Sequence, residues 1–204
     1  EEAASQGLMA GLNAHLSVKE EAPFILKRSE AYIGVLIDDL INKGTLEPYR
    51  MFTSRAEHRI LLRQDNADIR LTPLAQAIGM HGIEERMERV EQKNAGIKKI
   101  EQMLSAVNAD PEQINPFLES IGSSPVVQKT KLALLLSRPH IGIEDITPYL
   151  PQLVEGLTDF DEETISLAEV NIKYRGYIER EQEMVDKMNR LEELALHDSL
   201  DYSK

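Results

Sequence analysis

The feature that most constrains the fold is a long run of charged residues in helical register near the end of the chain. Asp159 or Asp161 is placed to cap a helix reaching about His197, and about 35 helical residues would span ~50 Å. Its apolar positions form one narrow stripe: Ile165, Ala168, Ile172, Val185, Met188, Leu191 and Ala195. Gly176 inside this helix costs about 1 kcal/mol relative to alanine, which predicts a close backbone contact there. The chain is therefore organised around helices.

Other segments agree with a helical protein. Residues 83–107 are charged and periodic, which predicts a second long exposed helix. Shorter helices are predicted for residues 1–16 and from Ser29 to about residue 42, whereas residues 23–26 can form a short strand. Aromatic residues make up only 5% of the chain, and charged residues make up 28%. The predicted fold class is mainly α with at most a short β element.

Composition excludes several classes of function. The formal net charge is -12 and the pI is about 4.9, so any nucleic-acid contact must be local and cannot cover the whole surface. The chain has no cysteine, which excludes a disulfide, a thiolate zinc site and a thiol nucleophile. There is no signal sequence, and no apolar run approaches the ~20 residues needed to span a membrane. Because the chain starts without Met inside a predicted helix, we expect a fragment of a longer protein.

A cluster of arginines interrupts this acidic chain. Residues 24–75 carry eight Lys or Arg against seven Asp or Glu. Five arginines fall within 21 residues: Arg50, Arg55, Arg59, Arg63 and Arg70. Arg55, Arg59 and Arg63 are four residues apart, which predicts one face of a helix that Ser54 would cap. Such a face can bind phosphates, or it can be an ordinary solvated or salt-bridged surface, and spacing alone leaves both open.

Five stretches of the chain resemble the glucose-inhibited division protein A family. They are residues 1–8, 28–40, 44–57, 63–72 and 173–182. Members of this family are FAD-dependent enzymes that install a carboxymethylaminomethyl group on C5 of the wobble uridine of tRNA. The resemblance is dense before residue 75 and sparse from there to residue 170. It implies the C-terminal portion of such an enzyme.

The resemblance implies three regions and a set of site residues. Residues 1–18 would be the last helix of a Rossmann-like FAD-binding domain, residues 19–75 an arginine-bearing connecting region packed on that domain, and residues 76–204 a truncated helical C-terminal domain. Gln6 would contact FAD. The tRNA would be bound by four arginines, of which the last matches a tRNA-binding position of the family: Arg50, Arg55, Arg59 and Arg63. No catalytic or metal-binding residue is expected here, because the family's proposed chemistry uses cysteines.

The resemblance also implies what the whole protein requires. It would use FAD, NADH and a methylene-carrying folate, act with a GTPase partner of the same pathway, form a homodimer and work in the cytoplasm. The chain alone is predicted to hold FAD poorly and to be inactive. Two alternatives remain. In one, the chain is a helical adaptor without a nucleic-acid role, and the arginines pair internally with Asp38, Asp39 or Glu57. In the other, the arginines line the flavin site and touch the substrate uridine or the folate's glutamate tail.

Overall fold

The computed structural model describes residues 1–192 and 194, and these form two compact units. The first unit contains residues 1–63 and the described residues from Gly176 onward, and the second contains residues 64–175. The helices are α1 (Glu2–Val18), α2 (Tyr32–Asn42), α3 (Ala67–Ala77), α4 (Glu84–Ala106), α5 (Pro111–Ser120), α6 (Leu132–Leu136), α7 (Ile143–Ile146), α8 (Pro151–Leu157) and α9 (Glu162–Glu192). The predicted mainly-α fold is confirmed.

The β structure is minimal. Strands β1 (Asn108–Ala109) and β2 (Thr130–Lys131) pair antiparallel, with Asn108 opposite Lys131 and Ala109 opposite Thr130. The predicted strand at residues 23–26 does not form. Instead, the side-chain amide of Asn13 donates to the Phe24 carbonyl at 3.0 Å and accepts from the Phe24 N–H at 2.7 Å. A side chain of α1 therefore satisfies the backbone groups that a strand partner would have taken.

One apolar core holds the second unit together. It is built from α4 to α8 and from the part of α9 that belongs to this unit. Its fully buried members include Ile100, Leu104, Ile114, Leu118, Leu132, Leu135, Leu136, Ile141, Ile143 and Ile146. Helix α4 approaches α9 closely at Gly96, where an added Cβ would lie 2.9 Å from Thr164 Cγ2. Burial of these apolar side chains is the main interaction that stabilises the second unit.

The helix starts in the second unit follow local signals. Asp110 caps α5 by accepting from the Glu112 N–H at 3.2 Å, and Pro111 occupies the first turn. Asp161, not Asp159, caps α9, since its Oδ1 accepts from the Thr164 N–H at 2.7 Å. Burial at Ala168, Ile172 and Val185 follows the predicted stripe, whereas Met188 and Leu191 are exposed. Leu167, which the stripe does not include, is also buried. The predicted continuation to His197, with Ala195, lies outside the described residues.

Two local predictions for helices of the first unit are wrong. Helix α2 begins at Tyr32, and its N-cap is Ala31 and not Ser29. Ser29 lies in the preceding turn, in which Glu30 Oε2 accepts from the Lys27 N–H at 2.7 Å. The close contact predicted at Gly176 is also wrong, since no atom of the described residues lies within 4 Å of an added Cβ there. Among the described residues, no helix is both long and apolar enough to cross a membrane.

Candidate nucleic-acid interface in the first unit

The arginine-bearing segment, residues 50–63, is not a helix. Thr53–Arg55 make a single 3-10 turn without a side-chain cap, and turns and bends follow to residue 63. The prediction that three arginines share one helix face is therefore wrong. The cause is tertiary, because Ala56 and His58 are both buried but would point about 200° apart on an α-helix. Burying both requires the backbone to turn.

Arg28 fixes this segment to α2. Its Nη1 donates to Asp38 Oδ2 at 2.8 Å and to Asp39 Oδ1 at 2.7 Å. Its Nε and Nη2 donate to the two carboxylate oxygens of Glu57 at 2.6 and 2.8 Å, a bidentate pair. This bonding holds the pKa of Glu57 below its usual range. The arginine that neutralises these three acids thus lies outside the segment.

Asp39 is the buried centre of the same network. Its Oδ1 also accepts from Lys43 Nζ at 2.7 Å, and its Oδ2 accepts from the Tyr49 hydroxyl at 2.8 Å. Burial alone would raise the pKa of Asp39, but the hydrogen bonds from Lys43, Tyr49 and Arg28 outweigh burial and hold that pKa well below its usual range. The carboxylate therefore stays ionised inside the unit and anchors the start of the segment.

Two of the four candidate arginines, Arg55 and Arg63, make contacts within the protein. The Arg55 guanidinium lies over the Tyr49 ring, 4.5 Å from its centroid, and its Nη1 is 3.9 Å from Asp39 Oδ2. Arg63 is half-buried and its Nη1 donates to the Ile60 carbonyl at 2.8 Å. Both side chains have internal partners, so their positions are fixed by the fold.

Arg50 and Arg59 differ from the other two. Both side chains are exposed, and neither makes an ion pair within 4.0 Å to any described residue. Arg50 acts on the carboxylate of Glu2 only through space. Two exposed guanidiniums thus belong to a segment that the Arg28 network holds against α2. This arrangement can bind phosphate at little cost in reorganisation.

His58 ties the segment to α9. The side chain is 3% exposed, and its Nδ1 lies 2.6 Å from Glu181 Oε1. Burial and this contact give His58 a structural role. Spacing could not reveal the partner, because 123 residues separate the two side chains.

Within the described residues, no group of three or more His, Asp or Glu side chains could hold a metal ion.

A second arginine–aromatic pair lies beside Glu181 and was missed by sequence reasoning. The Arg180 guanidinium lies 5.0 Å from the centroid of the Tyr177 ring. Its Nε donates to the Gly176 carbonyl at 2.8 Å, one turn back along α9. Tyr177 is 61% exposed. The spacing of Tyr and Arg three residues apart on a helix was the available signal.

Gln6 lies exposed on the second turn of α1, where only Met9 and Leu16 are buried. Neighbouring alanines and glycines leave this face open, which fits contact with one edge of a flat ligand such as a flavin. The first turn is less suited to a phosphate. The Glu2 carboxylate accepts from the Met51 N–H at 3.1 Å, and this bond lowers the pKa of Glu2, so a negative charge already occupies the turn.

Comparisons with known proteins give a consistent result. A family profile described as the tRNA modifying enzyme MnmG/GidA C-terminal helical domain matches residues 84–182. The tRNA uridine 5-carboxymethylaminomethyl modification enzyme MnmG of Flavobacterium johnsoniae is 51% identical over 207 aligned residues, which cover 100% of this chain and 33% of that protein. The protein of the same name from Christiangramia forsetii is 50% identical with the same coverage.

Solved structures agree. A structure of Aquifex aeolicus GidA in its form II crystal superposes with a TM-score of 0.76 at 32% identity, covering 100% of this chain and 31% of that one. The form I crystal of the same protein gives a TM-score of 0.74 at 33% identity. The chain therefore spans about a third of the length of the relatives and structures it matches.

Proposed function

The chain belongs to the MnmG/GidA family of tRNA modifying enzymes, and from this premise we propose that it is part of an enzyme that adds a carboxymethylaminomethyl group to C5 of the wobble uridine of tRNA. The names of its relatives support this activity. The intact protein would use FAD, NADH and a methylene-carrying folate, act with a GTPase partner, form a homodimer and work in the cytoplasm. The chain alone would be inactive.

Within that enzyme, the arginine-bearing segment binds the tRNA backbone. The observation that carries this proposal is the exposure of Arg50 and Arg59 without ion pairs among the described residues, in a chain with net charge -12. Exposed cations without ion pairs on an acidic protein provide a local positive field that favours binding of an anion. Arg55 completes the site with donors that its contacts with Tyr49 and Asp39 leave over, and Arg63 lies at the end of the same segment.

We assign one role to each of the three regions expected from the sequence. Residues 1–18 end the FAD-binding domain, residues 19–75 carry the tRNA contacts, and residues 76–204 form the helical C-terminal domain. The family profile, which begins at residue 84, supports the last of these boundaries. Gln6 would touch the flavin, which supplies the redox chemistry of the reaction when bound. The exposed face of α1 supports that role.

The test is the salt dependence of tRNA binding by the intact protein. Each phosphate contact contributes about 0.7 to 0.9 to the slope of log affinity against log salt. The double variant Arg50→Ala/Arg59→Ala should therefore reduce the slope by about 1.5. The loss should be equal for cognate and non-cognate tRNA, since phosphates carry no sequence. Arg86→Ala/Arg89→Ala, which removes the same charge from exposed positions of α4, is the matched control.

The outcomes separate the proposal from the adaptor alternative. That alternative has one supporting observation, the contacts of Arg55 with Tyr49 and Asp39. It predicts that arginine variants lower stability and leave the slope unchanged. A wild-type slope in the Arg50→Ala/Arg59→Ala variant, or an equal loss in the α4 control, would overturn the tRNA-backbone proposal. A change in the flavin absorbance spectrum of these variants would instead favour arginines that line the flavin site.

A further inference from the structure

The first turn of α1 is bonded to the start of the arginine-bearing segment. Glu2 is half-buried, and its Oε1 accepts a hydrogen bond from the Met51 N–H at 3.1 Å. That N–H belongs to the peptide unit that joins Arg50 to Met51, and the six atoms of a peptide unit lie close to one plane. Holding the Met51 N–H therefore also constrains the Cα atom from which the Arg50 side chain extends.

The backbone around Arg50 has no regular structure to hold it. In the described part of the chain, residues 48–51 lie outside any helix or strand and make no backbone-to-backbone hydrogen bond. Side chains hold the two neighbours of Arg50 instead. The Tyr49 hydroxyl donates to Asp39 Oδ2 of α2 at 2.8 Å, and the Met51 N–H donates to the carboxylate of α1. Arg50 thus lies between two anchors, and of these the second bonds the backbone itself.

The Glu2 carboxylate can act on Arg50 in two opposite ways. The hydrogen bond from Met51 lowers the pKa of Glu2, and the positive charge of Arg50 lowers it further, so this carboxylate is ionised at neutral pH. A fixed negative charge near Arg50 opposes the approach of a phosphate. The hydrogen bond has the reverse effect, because an arginine on a constrained backbone has less freedom to lose on binding. Removing Glu2 therefore changes RNA affinity in a direction that shows which role dominates.

We propose that Glu2 is a positioning residue for Arg50, because its bond to the Met51 N–H sets the backbone from which Arg50 reaches a tRNA phosphate. The proposal rests on the proposed function and adds a residue of α1 to the residues on which tRNA binding depends. In this arrangement, the helix that we assign to the FAD-binding domain also sets the position of the first arginine of the segment.

The test measures the affinity of the intact protein for a tRNA transcript at one salt concentration. Glu2→Ala removes the acceptor and should weaken binding about two- to tenfold, the cost of ordering one mobile side chain. Glu2→Gln removes the charge but keeps a side-chain oxygen that can accept from the Met51 N–H, so it should bind at least as tightly as wild type. Glu1→Ala is the matched control and should also bind at least as tightly, since it removes the same charge from a side chain that makes no cap hydrogen bond.

A double-mutant cycle separates positioning from a general loss of structure or of flavin. In an Arg50→Ala background, Glu2→Ala should weaken binding no further, because the side chain that it positions is absent. In an Arg59→Ala background, Glu2→Ala should keep its full effect, since Arg59 lies in a later turn of the segment. A general loss would weaken binding equally in both backgrounds.

The positioning role and the tRNA-backbone site fail in different ways. If Arg50→Ala weakens binding, the positioning role alone is overturned by wild-type or tighter binding in Glu2→Ala. It is also overturned by an equal loss in Glu2→Gln or in Glu1→Ala, or by an equal loss in the two arginine backgrounds. If Arg50→Ala binds as tightly as wild type, Arg50 contacts no phosphate, and the backbone site at Arg50 fails together with the positioning role.

Discussion

The two units are stabilised by different interactions. The second unit buries a continuous set of leucine and isoleucine side chains drawn from six helices. Among the residues that the structure describes, the core around the arginine-bearing segment consists of Val35, Ala56 and Leu62, with Tyr32 and Met51 packed against it. What holds that segment is the network in which Arg28 and Asp39 join α2 to Glu57 and Tyr49.

Because of this difference, we expect the two regions to respond differently to pH and to the loss of a charged side chain. Apolar burial is non-directional and depends little on pH or salt. A buried charge network depends on the ionisation and presence of every member, since a lost partner leaves the others desolvated. Such a network can hold an irregular backbone in one conformation, which an apolar cluster of three residues cannot do alone. Displaying Arg50 and Arg59 therefore depends on Asp39 and Arg28.

The largest expected effects come from one deletion in each region. Leu118→Ala should lower the free energy of unfolding by about 2–5 kcal/mol through a cavity. Asp39→Ala should lower it by about 1–3 kcal/mol, because Arg28, Lys43 and Tyr49 each lose a hydrogen bond to the buried carboxylate. Urea unfolding measures both. Hydrogen exchange should place the Asp39→Ala loss in residues 28–57 and the Leu118→Ala loss in the second unit. A cost below about 1 kcal/mol for Asp39→Ala would show that the segment does not depend on the network.

A smaller expected effect is that the two regions lose stability at different pH values. The folded pKa values of Asp39 and Glu57 are lowered, so the unfolded chain binds more protons as pH falls. Their contribution is complete above the unfolded values of about 4 and is lost as pH falls below them. Hydrogen exchange at decreasing pH should show residues 28–57 opening before α4. Asp39→Asn is the control and should flatten the difference. Simultaneous opening of both regions would contradict the comparison.

The smallest effect concerns two helical glycines. Gly176→Ala should stabilise the protein by about 0.5–1 kcal/mol, because the site is exposed and an added Cβ meets no atom within 4 Å. Gly96→Ala should instead destabilise the protein, since the new Cβ would lie 2.9 Å from Thr164 Cγ2. Thermal melts of both variants measure the contrast. A loss of stability in Gly176→Ala would restore the close contact predicted from the sequence.

Sequence reasoning predicted the features set by local chemistry. Asp161 caps the helix that follows it, and α4 coincides with its charged periodic run, because caps and helical periodicity act within a few residues. The resemblance identified the family. The arginine-bearing segment failed as a helix because the buried Ala56 and His58 overrode the four-residue spacing. No spacing rule relates His58 to Glu181.

The His58–Glu181 contact has a consequence for the order in which the chain folds as it is made. The second unit is continuous in sequence, whereas the first needs residues 1–63 and the end of α9 together. The ribosome adds about 5–20 residues per second and emits the amino end first. All residues of the second unit are therefore translated before Glu181, and His58 must wait for 123 further residues before its partner is made. Until then the arginine-bearing segment lacks its α9 partner, so the conformation of this segment is completed only after α9 has been made.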